Sequence, residues 1–160
     1  MELTLKKISL DAVPGAIAKA EHYRSLNEPA EAESICRDVL AVDHGNQTAV
    51  RLLGLALTDQ FTGEETDAYN EAERAFHRLT DRYERLYCTG LLRERRAKAE
   101  LAAGHAAYMV AALLRDALRL YAQAEHVRPP GNDEVILRWN RCVRLIRSRP
   151  ELEWSTRDAR

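Results

Sequence analysis

Three cysteines in 160 residues, Cys36, Cys88 and Cys142, are too few, too widely spaced and odd in number for a disulfide framework. No C-x2-C spacing offers a zinc site. Their apolar, helix-like contexts read as reduced thiols packed as small hydrophobes, which points to a cytoplasmic setting. Long apolar runs are missing as well: no stretch reaches the roughly 20 residues of a membrane span. The opening MELTLKKISL carries two lysines but no extended apolar core and no small-residue cleavage site, so a soluble, non-secreted chain is expected. Catalytic signatures are scarce. There is no G-x-S-x-G, Gly-rich phosphate loop or H-E-x-x-H. No Glu-x-x-His pair supports a di-iron bundle. Glu73 and His77 share one helical face but lack a third ligand, so neither a metal nor another cofactor is expected. The isolated His22, His44, His105 and His126 read as caps or solvated side chains. Catalysis is not expected.

No charge of one sign dominates. The net charge is −1 with 31% charged and 46% hydrophobic residues, an ordinary helical composition without a global field for nucleic acid. The halves differ, at −6 for residues 1–80 and +5 for residues 81–160. Such asymmetry can steer a polar partner or drive weak self-association, although solvated helix faces produce it too.

What is present is helical periodicity broken at turn residues, with no sustained alternation of the kind a strand needs. Asp11 is placed to cap a first helix with Pro14 in its opening turn. Asn27-Glu28-Pro29 turns into a second helix, and Asp43-His44-Gly45-Asn46 ends it. A helix from Val50 to about Gln60 follows. Residues 61–67 form a longer connection, with Thr66 or Asp67 as cap for the next helix. Another helix opens near Tyr83, and Pro129-Pro130-Gly131-Asn132 terminates its partner. A last helix covers about residues 133–147. The polar tail, 150–160, reads as frayed unless Leu152 and Trp154 pin it back.

Two spacings recur. Ala117, Tyr121, Ala124 and Pro129 form A-x3-Y-x2-A-x4-P, and Ala32, Cys36 and Val39 repeat its first part. Val50, Leu53, Gly54 and Leu57 form an apolar-x2-L-G-x2-apolar pattern, partly repeated by Ala20 and Tyr23. Small residues at these places let paired helices approach, and an aromatic fills the gap. The chain in this respect resembles the tetratricopeptide repeat family of bacterial type, with about three repeats and a capping helix. The resemblance spans about residues 14–147. It implies an all-α fold: a right-handed superhelical stack of antiparallel helix pairs, about seven helices in one domain. Pairs fall at about 12–44, 46–82 and 83–128, with a cap at about 133–147. Ala20, Ala32, Gly54, Ala72, Gly90, Ala117 and Ala124 should be buried at close contacts.

That resemblance also implies function: a non-enzymatic adaptor or scaffold holding a peptide or helical segment in a concave groove. The groove positions are Ile17, Glu21 and Arg24, then Arg51, Leu55 and Thr58, then Tyr87, Leu91 and Glu94. Leu55 and Leu91 have a plainer reading, as packing against the neighbouring helix. A small secretion-type chaperone is an alternative. Another is a nucleic-acid-associated regulator using the basic stripe Arg138, Arg141, Arg144 and Arg147, although an overall pI near 6.5 argues against nucleic acid.

The third pair departs from the pattern. Gly90 and Ala117 lie 27 residues apart, whereas Ala20 and Ala32 lie 12 apart. The extra residues lengthen each helix by about two turns, giving a long hairpin that turns near Ala103-Gly104-His105. Residues 101–114 carry no charge, and 12 of the 14 are hydrophobic. A second copy of the chain or another partner is expected on Tyr108, Met109, Val110 and Leu113. The alternative is that the N-terminal Leu3, Leu5 and Ile8 fold over this end.

Overall fold

The computed structural model describes residues 3–64 and 67–157; among them every regular element is helical. A 3-10 turn, Leu10–Ala12, leads into eight α-helices: α1 (Val13–Ser25), α2 (Pro29–Val42), α3 (Gln47–Thr58), α4 (Asp67–His77), α5 (Arg82–Ala102), α6 (Ala107–His126), α7 (Glu134–Arg147) and α8 (Pro150–Arg157).

Local chemistry explains most of the breaks. After α1 the chain reverses through Asn27 in the left-handed region (φ 59°), and Pro29 occupies the first turn of α2. Asn46 caps α3 by accepting from Ala49 N at 2.9 Å, while its amide donates to Asp43 Oδ2 at 2.8 Å. Asp81 caps α5 through Glu84 N at 2.8 Å. The expected turn after α5 is closed by Gly104 (φ 79°), with His105 N donating to Glu100 O at 3.0 Å. That is the bonding of a glycine-terminated helix end.

Three expectations need correction. Asp11 lies inside the 3-10 turn, so the N-cap position of α1 falls on Ala12, which has no side chain to cap with. α3 begins at Gln47 rather than near Val50, because Asn46 is the capping residue. The tail is not frayed over residues 150–157: it forms α8, anchored by the fully buried Leu152. Thr66 and the side chain of Trp154 lie outside the described residues.

Each of α1/α2, α3/α4 and α5/α6 packs as a pair, and α1, α3, α5 and α7 each touch the next in that series. All seven small residues expected at close contacts are buried. At Gly54 a Cβ would lie 2.7 Å from Cζ and 2.8 Å from Cδ1 of the buried Phe76. At Gly90 a Cβ would lie 2.6 Å from Tyr121 Cε1. The α3/α4 and α5/α6 pairs therefore close by the same fit of an aromatic edge into the notch left by a glycine.

Two apolar cores result. One is built from α1–α4 with Cys88, Leu91 and Leu92 of α5. The other joins Ala97 of α5 to Val110, Leu114 and Tyr121 of α6, Val135 and Cys142 of α7, and Leu152. Helix α5 is the shared wall, which is why it is buried on two faces. Burial pushes the thiol of Cys36 up to about 11 and those of Cys88 and Cys142 to about 12, consistent with packed hydrophobes.

Candidate interaction surfaces

The side formed by α1, α3 and α5 holds the expected groove residues, but it is knitted by internal ion pairs. Arg24 of α1 meets Asp59 at 2.8 Å, and Arg95 of α5 reaches the same carboxylate. Arg95 Nη1 also donates to Thr58 Oγ1 at 3.1 Å, and that hydroxyl donates to Leu55 O at 2.8 Å. Arg51 and Glu84 approach at 3.9 Å. Burial, then repulsion from Arg24 and Arg138, pulls Arg95 down to about 10. Burial and the neighbouring Arg51 lower Arg24 as well.

Glu94 has a different place from the groove position expected of it. Its carboxylate is 0% exposed and gathers three helices. Tyr121 of α6 donates to Oε2 at 2.6 Å, Lys98 of α5 pairs with Oε1, and Arg138 of α7 lies 3.4 Å from Oε1. Burial opposes charge on Arg138, but Glu94 and Tyr87 hold its guanidinium above the usual value. Leu55, Thr58 and Leu91 are also interior, so their side chains cannot meet a partner on this face. Ile17, Arg24, Arg51 and Tyr87 are half-buried, and Glu21 is exposed. The basic stripe is divided: Arg138 turns inward to Glu94, while Arg141, Arg144 and Arg147 are exposed. Glu73 pairs with Arg93 of α5 at 2.7 Å, separating it in role from His77.

The α5–α6 hairpin is as long as its spacing implies, 21 and 20 residues against 13 and 14 in α1 and α2. At its far end Tyr108 is 69% exposed and Met109 40%. Leu113 is half-buried, and Val110 turns inward to the second core, so Val110 drops out of the expected contact set. The described N-terminal residues, Leu3, Leu5 and Ile8 among them, do not cover this end. Ile8 packs on the first core, and Leu5 is 97% exposed.

Between the connection after α3, helix α4 and the outer halves of α5 and α6 lies a cavity of about 890 Å³. A smaller recess of about 350 Å³ shares Tyr69, Arg96, Glu100 and Met109 with it. Phe61 and Tyr69 face each other at 5.9 Å. The Arg96 guanidinium lies 4.4 Å from the Tyr69 ring centre and donates to Glu100 Oε1 at 2.8 Å. None of this was read from the sequence. Its members come from three separate segments, the 61–70 stretch, the second half of α5 with the turn after it, and Met109 of α6.

No known protein family, curated protein or solved structure matches this chain.

Proposed function

We propose that the protein is a non-enzymatic interaction module of tetratricopeptide type that associates with a second copy of itself through the far end of the α5–α6 hairpin. The observation that carries this reading is the exposure of Tyr108 and Met109 on a segment without charge, which no part of the described chain covers. Aromatic and methionine side chains are the residue types enriched at the centres of protein interfaces. The opposite charges of the two halves of the chain favour self-recognition over a strongly charged foreign partner. The recurring glycine–aromatic fit supports the repeat reading, since one packing solution is used in successive pairs. A peptide held on the α1/α3/α5 face would have Ile17, Glu21, Arg51 and the edges of Arg24 and Tyr87 to contact. That narrower set makes the face a secondary surface in this account.

Light scattering over a concentration series tests the association. The wild type should shift from monomer towards dimer as concentration rises, and Met109→Glu should remain monomeric with its helical signal intact. A wild type that stays monomeric throughout, with Met109→Glu losing only stability, would remove the proposal.

A further inference from the structure

We propose that the residues ahead of α1 form an exchanged arm: Leu3 and Leu5 of one copy lie against the bare hairpin end of a second copy, which returns the contact. The exchange rests on self-association through the hairpin end, and it identifies what Tyr108 and Met109 of each copy meet. Residues 3–9 carry no helix or strand, and all of them except Ile8 are exposed. Leu3 is 88% exposed and Leu5 97%, so the two leucines of the arm touch almost nothing in their own chain. Ile8 is the root, packed on the core of α1–α4, and it fixes where the arm leaves the domain. An extended backbone puts Leu3 and Leu5 on one side, with Thr4 and Lys6 on the other.

The hairpin end offers a surface of the same chemistry. Around the turn after α5, Ala102, Ala103, Ala106, Tyr108, Met109 and Ala112 are exposed, and residues 101–114 carry no charge. Topology places this surface beyond the reach of the chain's own arm. Consecutive helices from α1 to α5 pack side by side through short connections, so α1, α3 and α5 run in the same direction. The arm leaves where these helices begin, whereas the bare surface lies where α5 stops. Helix α5 has 21 residues, about 30 Å at the rise of an α-helix. Residues 3–8, fully extended, reach at most roughly 18 Å. An antiparallel two-fold pair brings the arm of each copy to the hairpin end of the other. Both arms and both hairpin ends are then covered at once, and the assembly closes. A foreign partner would have to cover two surfaces at opposite ends of the domain.

Photo-cross-linking of the full chain, at a concentration where it is dimeric, tests the exchange. With p-benzoylphenylalanine at position 5, irradiation should give a covalent dimer whose cross-links map by mass spectrometry to residues 102–113 of the other copy. Leu3→Ser combined with Leu5→Ser should raise the dimer dissociation constant at least about tenfold, since each arm loses two buried leucines. The dilute monomer of that variant should melt as the wild type does, because both side chains are exposed in it. Unchanged dimer affinity in the variant, or cross-links confined to the same chain or to other residues, would overturn the exchange. If Met109→Glu still weakens the dimer in that case, self-association through the hairpin end stands and the arm alone is wrong. A wild type that stays monomeric at every concentration would overturn both.

Discussion

Gly54 and Phe76 show how tightly single residues fix this fold. By helix propensity alone, Gly54→Ala should stabilise α3 slightly. The added methyl would meet the ring of Phe76, which is buried and has no room to swing away. The steric term wins: Gly54→Ala should cost about 1–2 kcal/mol, and Gly54→Leu up to about 3. Chemical denaturation of Gly54→Ala, Phe76→Leu and the double variant checks this. The double variant should be more stable than the sum of the single losses allows, because the smaller side chain makes room for the methyl. Additive losses would show that the notch and the ring are independent. The small residue at 54 was legible in the sequence as a place of close approach. That even one methyl is too much was not, because it depends on where the Phe76 ring lies.

At the scale of elements, the helices with strong periodicity and chemical punctuation were legible, and those held by a few distant contacts were not. The lengths of α5 and α6 followed from the distance between Gly90 and Ala117, and their turn from the Ala103-Gly104-His105 break. Helix α8 lacked such a signal: Leu152 is its one large side chain shown to be buried, too few for a period to emerge. Yet α8 packs on α6 and closes the second core. Leu152→Ala should therefore cost about 2–3 kcal/mol, by lost burial plus the space left behind. Urea denaturation checks it; a loss below about 0.5 kcal/mol, the range of surface substitutions, would mean that α8 is dispensable. Glu94 was illegible for a related reason. Its i, i+4, i+7 spacing with Tyr87 and Leu91 read as a groove position, whereas its partners arrive from α6 and α7 as well as α5.

The whole molecule is two cores sharing α5, with a hairpin whose outer end the described residues leave partly bare. Sequence reasoning located that end from the uncharged residues 101–114, but it could not divide inward from outward faces. The structure does so, turning Val110 and Leu114 into the core and leaving Tyr108 and Met109 outside. It also relocates much of the expected groove: Leu55, Thr58, Leu91 and Glu94 serve packing and ion pairing inside the domain. It is at the hairpin end that self-association is proposed, on the exposed Tyr108 and Met109. Hydrogen exchange at low and high protein concentration examines that end directly. Amides of residues 106–113 should become better protected as concentration rises, while those of α1 and α3 stay unchanged. Protection at 106–113 that is independent of concentration, or a change confined to α1 and α3, would contradict the account.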